Sequence, residues 1–287
     1  QARARKNPAA GEKDLTVLPR RAGIVHRCAV FVPLAILAFI VTGCATSAKP
    51  PALPKAPAPQ WESSKLIESM GQRRQEFRSV RALARVNYAG PEGKQGFEEA
   101  VLVQRPDRLR LETLSFLGAI LIVTANDKEI IGYHPREGVL VRGRSSKENL
   151  LRLTQIPLEL DEITALLLGL PPVEASAPWR QEGNSLIFSL NGRIKDTLAF
   201  DSQLPVPTRW QRFNGSGVVE LTAFFSDYIT TPAGWFPSKI NVEATGQGKK
   251  LEIRFQEPEF NATIPAESFS QQKPANVQEV PIEMIGS

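Results

Sequence analysis

Short runs in which apolar and polar residues alternate recur along most of this chain. Arg108-Leu109-Arg110-Leu111-Glu112, Lys239-Ile240-Asn241-Val242-Glu243 and Leu251-Glu252-Ile253-Arg254-Phe255 each have one apolar face at a period of two. Turn-forming residues separate the runs at hairpin intervals: Gly90-Pro91-Glu92-Gly93, Asn126-Asp127, Arg136-Glu137-Gly138, Asn191-Gly192, Asn214-Gly215 and Gly246-Gln247-Gly248. Many strands that each bury one face predict a single antiparallel meander, curled or barrel-like because a flat sheet of that size cannot cover its own apolar side.

Three helical stretches accompany the strands. Leu66, Ile67, Met70 and Phe77 fall near one face of a helix over about 62–77, with Arg73, Arg74 and Glu76 largely elsewhere. Ser145-Ser146-Lys147-Glu148 reads as a capping box with Ser145 as N-cap, opening a short helix through Leu150, Leu151 and Leu153. A third helix starts at Asp161, carries Ile163, Leu166, Leu167 and Leu170, and stops at Gly169 before Pro171-Pro172. The two short helices must lie on the sheet to be stable. The expected fold class is α+β: a single curved antiparallel sheet, an incomplete barrel, with helices covering the concave face. The domain is expected over 61–270, with an irregular tail over 271–287.

The segment before residue 45 has a different composition. The apolar run Ala29–Val41 is too short for a comfortable membrane span, follows Arg20, Arg21 and Arg27, and ends in Val41-Thr42-Gly43-Cys44. This is the lipobox pattern: small residues admit the peptidase and the Cys44 thiol accepts a diacylglyceryl group. Residues 1–44 are read as a lipoprotein signal peptide, with 1–19 lying far upstream for its basic region, as a fragment or an early start would. Ala45–Gln60 is rich in Pro and Ala and reads as an extended tether that could reach roughly 50 Å.

That division decides several function classes. Of 35 basic and 30 acidic residues, seven basic and two acidic ones precede Cys44, so the remainder is balanced and a nucleic-acid partner loses its electrostatic basis. Cys28 and His26 also lie in the signal segment, which leaves Cys44 and His134, too few for a disulfide, a Cys/His metal cluster or a Cys–His catalytic pair. No Gly-rich phosphate loop, nucleophile elbow or zinc-protease motif is present. Glu98 and Glu99 are adjacent in a strand and face opposite ways, and Asp161 and Glu162 are explained by helix capping. No enzyme activity is expected, and no cofactor beyond the lipid on Cys44. The basic groups Arg136, Arg142, Arg144 and Lys147, and Arg73, Arg74, Arg78, Arg81 and Arg85, read as solvated surface.

One connection breaks the local rule. Leu114-Ser115-Phe116-Leu117-Gly118-Ala119 joins strand-like 107–114 to strand-like 119–125, yet its tip is apolar. Either Phe116 and Leu117 meet something apolar outside the domain, or the strand runs on and both are core.

From about Trp61 to Pro172 the chain resembles the LolB family of outer-membrane lipoprotein receptors and, more loosely, the wider LolA/LolB-like fold. The resemblance rests on the opening helix, a strand near 80–89, Ala100-Val101-Leu102-Val103-Gln104 followed by Asp107-Arg108-Leu109-Arg110-Leu111, the Phe116-Leu117-Gly118 turn, and Pro157-Leu158 leading to Leu168-Gly169-Leu170-Pro171. Beyond 172 only the general fold matches, through Pro205-Val206-Pro207-Thr208, strands over 218–229 and 236–245, and Ile264-Pro265-Ala266-Glu267-Ser268-Phe269. In that family a protruding Pro-Leu-Gly turn puts its leucine into the membrane. Leu117 matches that leucine, and Phe116 stands where the family has proline.

The resemblance implies an apolar cavity for acyl chains between sheet and helices. Candidate lining residues are Val101, Val103, Leu109, Leu111, Ile120, Ile122, Leu166, Leu167, Phe188, Phe200, Phe224, Ile240, Val242 and Phe255, any one of which reads more readily as plain core than as a ligand contact. It further implies a monomer on the periplasmic face of the outer membrane. Such a protein takes lipoprotein acyl chains from a soluble periplasmic lipoprotein carrier and releases them into outer-membrane lipid. Ala45 agrees, since the retention signal familiar from enteric bacteria is an aspartate after the lipidated cysteine. Two other readings stay open: a structural or assembly lipoprotein with a filled core that binds an envelope protein or polymer, and a carrier of another lipid such as a glycolipid.

Overall fold

The computed structural model describes residues 61–174 and 176–285; Cys44, the signal segment and the tether lie outside the described residues. Helix α1 (Ser63–Glu76) leads into β1 (Ser79–Gly90), β2 (Gly93–Gln104), β3 (Arg108–Ser115), β4 (Gly118–Ala125), β5 (Glu129–His134) and β6 (Val139–Arg144). Helices α2 (Lys147–Thr154) and α3 (Leu160–Leu167) follow. The chain continues through β7 (Trp179–Glu182), β8 (Ser185–Leu190), β9 (Arg193–Phe200), β10 (Pro207–Phe213), β11 (Val219–Thr231), β12 (Gly234–Ala244), β13 (Lys249–Phe260) and the short β14 (Gln278–Pro281).

All fourteen strands form one sheet in the order β14-β6-β5-β4-β3-β2-β1-β13-β12-β11-β10-β9-β8-β7. It is open, because β14 and β7 do not pair with each other, and antiparallel except where β14 runs parallel to β6. The expected α+β architecture is therefore the observed one, and the turns fall where Gly, Asn and Pro interrupt the alternation. Register follows from burial. On β1, Val80, Ala82, Ala84 and Val86 are buried while Arg81, Arg85 and Asn87 are exposed, so a slip of one residue would reverse every side chain.

The helices lie on the concave side. Six of the eight residues of α3 are buried, so it is apolar nearly all round and sits in the middle of the core. The box that opens it is Glu159 with Glu162: Glu159 N–H donates to Glu162 Oε2 at 3.1 Å. The N-cap of α2 is Ser146, not Ser145; its side chain accepts from Asn149 N–H at 3.3 Å, because the chain leaving β6 first folds Ser146 N–H back onto Arg144 O. Gly132 lets α2 approach β5, since a Cβ there would stand 2.9 Å from Val141 Cγ2 and 3.2 Å from Leu153.

Two expectations are corrected. Arg73 is buried on the core side of α1, where it donates to Trp235 O and, at 3.0 Å, to Gly169 O, with its guanidinium 5.2 Å from the Phe77 ring centre. It ties α1 to β12 and to the end of α3, a use that makes a buried cation tenable. The tail is not irregular throughout: β14 extends the sheet edge, and Ile282 is fully buried against Gly143. Val277 covers Ile131 and Leu140 on the outer face. Arg142 pairs with Glu129 and, at 3.0 Å, with Glu279 of the tail, rather than standing free in solvent.

Candidate functional site

Between the inner face of β1–β5 with β13 and the helices α2 and α3, the side chains do not meet. They leave a cavity of about 540 Å³, within the range of ordinary small-molecule sites. Its deep wall is apolar: Val86, Val101, Val123 and Ile253 come from the sheet, Ile163 and Leu167 from α3. The exposed members of the lining, Glu92, Gln95, Gly96 and Ile120, all stand at the end that carries the β1–β2, β3–β4 and β5–β6 turns. The cavity is thus a funnel that opens between hairpin tips. A second, more open hollow of about 610 Å³ runs along Asn87, Phe224, Asn241 and Glu252, and the charged side chains Lys94, Glu243 and Lys250 also stand along it.

The β3–β4 turn stands at this mouth. Phe116 is 94% and Leu117 69% exposed. The turn is held from beneath: Ser115 Oγ accepts from Leu117 N–H at 3.2 Å, donates to Gly118 O at 2.9 Å, and accepts from Arg136 Nη2 at 2.6 Å. Gly118 adopts φ +102°, which side-chain-bearing residues avoid. Of the two readings of this segment, the exposed tip is the observed one. Thr113 and Ile120, which flank it in the same hairpin, belong to the cavity wall. Arg136 is accordingly a clamp on the turn rather than free surface charge.

Of the fourteen candidate lining residues, Val101, Leu111, Ile120 and Leu167 lie on the cavity. Val103, Leu109, Leu166, Phe188, Phe200, Ile240 and Phe255 are buried in the packed core away from it; Phe255, for example, meets Phe236 edge-on at 5.3 Å. Val242 borders neighbouring recesses. Ile122 and Phe224 are corrections: opposite Glu112 and Asn241 in the register, both sit on the outer face. Apolar residues there break the simple alternation, which is why period alone assigned them inward.

Glu99, set aside in the sequence as one of an oppositely facing acidic pair, also lies on the cavity wall. It occupies the inner face of β2 opposite Thr113 of β3, whose Oγ1 donates to Glu99 Oε1 at 3.3 Å, while Glu98 turns outward to Arg85 at 3.5 Å. Burial pushes the Glu99 carboxyl up to about 7, with the Thr113 hydrogen bond pulling weakly the other way. The signal that could have found it is the face Phe97, Glu99, Val101, Val103, in which one carboxyl interrupts an apolar row.

Among the described residues, no group of three or more His, Cys, Asp or Glu could hold a metal ion, and no helix is long and apolar enough to cross a membrane.

No protein-family model matches the chain and no curated protein matches it. Solved structures do. A DUF1329 family protein from Desulfovibrio piger is similar at 11% identity and a TM-score of 0.53, over 71% of this chain and 94% of that one. A putative outer membrane lipoprotein-sorting protein domain from Vibrio parahaemolyticus aligns at 12% identity and a TM-score of 0.49, over 72% of this chain and 97% of that one. A LolA superfamily protein from Nitrosomonas europaea aligns at 12% and 0.48, over 71% and 97%. At these identities the likeness to the D. piger protein is one of fold: an open curved sheet wrapped on helices.

Proposed function

We propose that this chain is a membrane-tethered carrier of acyl chains that receives lipoproteins and inserts them into the outer membrane. The observation that carries the reading is an apolar funnel whose open end lies beside an exposed Phe116-Leu117 tip on the same hairpin. A cavity of this size and lining suits a hydrocarbon tail, and a tip of this kind suits contact with a bilayer surface. The lipobox resemblance at Cys44 supports the tether, with Ala45 agreeing with an outer-membrane destination.

Magnitudes divide the labour. Burying one leucine is worth roughly 1.5 to 3 kcal/mol, whereas an acyl chain contributes about 0.8 kcal/mol per buried methylene. The lipid on Cys44 would therefore anchor the protein, and Leu117 would aim the mouth at the bilayer and loosen the lipid beneath it. A bound chain then leaves the funnel for a solvent at least as apolar. In this reading the protein is a monomer, works on the periplasmic face, catalyses no covalent step and needs no cofactor.

The test pairs binding with delivery. Native mass spectrometry of the purified protein should show co-purified lipid, and Leu117→Glu should retain both fold and bound lipid while abolishing lipoprotein delivery to the outer membrane. Protein that is consistently free of lipid would remove the carrier reading. Normal delivery by the Leu117→Glu variant would remove the role of the turn.

A further inference from the structure

The wall of the funnel carries a carboxyl group with no counter-ion. Glu99 stands between Phe97 and Val101 on the inner face of β2, and both neighbours line the cavity with it. Its Oε1 accepts from Thr113 Oγ1, and its Oε2 has no hydrogen-bond partner among the described residues. No Lys or Arg lines the cavity. Cations on the surrounding strands and turns are engaged elsewhere: Lys249 on Gln155 at 2.6 Å, Lys250 on Glu243 at 2.8 Å, Arg85 on Glu98 on the outer face, and Arg136 on Ser115. The other titratable groups on the wall are Tyr88 and Glu92, 3.5 Å apart at the β1–β2 end, and His134 at the end of β5. From α2, α3 and β13 only uncharged side chains reach the cavity.

Such a carboxyl is costly to the fold, which gains only one long hydrogen bond from it. A leucine or valine at 99 would continue the row. The cost is recovered if something that enters the cavity supplies the missing donor.

We propose that Glu99 is the polar anchor of the funnel, accepting a hydrogen bond from the nitrogen of an amide-linked acyl chain, so that the cavity selects N-acyl chains over chains with an anionic head. The proposal rests on the carrier reading above and names the cargo chemistry within it. An amide N–H satisfies Oε2. An anionic head would set a second negative charge beside Glu99 on an otherwise apolar wall, and an ester offers only further acceptors. The acylated amino terminus of a lipoprotein offers the donor that the site lacks.

The selection has a pH signature. Above about 7 the carboxylate accepts from the amide and repels an anion; below it the protonated group loses the repulsion. The experiment uses the full membrane-anchored chain and two photoreactive probes of equal chain length, one ending in an N-methyl amide and one in a sulfonate, which stays ionised throughout. Cross-linked cavity peptides are quantified by mass spectrometry at pH 8 and pH 5.5. Partition into the bilayer cancels when the amide-to-sulfonate labelling ratio is compared between variants.

At pH 8 that ratio should fall on the order of tenfold from wild type to Glu99→Gln, an effect the size of one buried hydrogen bond made or lost. The wild-type ratio should fall in the same direction at pH 5.5, and the Glu99→Gln ratio should not respond to pH. Should the variant fold poorly, the pH comparison is made in a His134→Gln background, which leaves no basic side chain on the wall, and the response of that ratio decides. A ratio unmoved by both substitution and pH overturns the anchor while leaving the carrier intact. Absence of cavity labelling by either probe overturns the carrier reading, and the anchor with it.

Discussion

Glu99 also makes the hollow measurable through proton binding. Its ordinary value of 4.5 rises to about 7 in the folded chain, so between those limits the folded state holds a proton that the unfolded state has released. Stability must then fall as pH climbs through that window and level off above it. Glu99→Gln removes the dependence. Urea unfolding at pH 4.5 should find variant and wild type alike, and at pH 8 should find the variant more stable, by no more than about 3 kcal/mol and by less as cavity water screens the charge. Equal stabilities at pH 8 would mean that the carboxyl is fully solvated. Alternation placed Glu98 and Glu99 on opposite faces, yet which face was hollow was not legible, because a period of two is the same over a packed core and over an empty one. Arg73 was illegible for a related reason: its burial depends on carbonyls of Trp235 and Gly169, far away in the chain, that no local pattern announces.

Elements with local causes were readable and those with distant causes were not. The hairpins follow from turn residues, and α1 and α3 from apolar spacing, so each could be placed from its own stretch of chain. β14 could not: four residues, one of them proline, carry too little pattern, and parallel pairing with β6 joins segments more than a hundred residues apart. Yet this piece covers the edge of β6. Ile282 fills the space left by Gly143, and Asn149 of α2 donates to Glu283 at 3.1 Å, so the tail locks the helix that roofs the funnel. Ile282→Ala should therefore cost about 2 to 5 kcal/mol in denaturant unfolding, as a buried isoleucine does. A cost below about 0.5 kcal/mol would place the tail among loosely attached termini.

For the molecule as a whole, the decisive property is that helices and sheet stop short of each other at one end and pack fully at the other. Around Phe77, Phe236, Phe255 and Phe260, ring centres lie 4.6 to 5.9 Å apart and the interior is solid. Beneath the β3–β4 hairpin, Leu111, Val123 and Leu167 face space instead. The two regions should answer oppositely to an enlarged side chain. In a packed interior the added atoms force strain that costs about 1 to 3 kcal/mol, whereas in a hollow they gain contacts that the wall lacks. Leu111→Trp puts the larger ring into the funnel from a strand position that suits an aromatic residue. It should unfold within about 1 kcal/mol of the wild type or above it, and should lose co-purified lipid and probe labelling together. The reverse pattern, a clear loss of stability with lipid capture unchanged, would show that the space beside Leu111 is already filled and that any bound chain lies elsewhere.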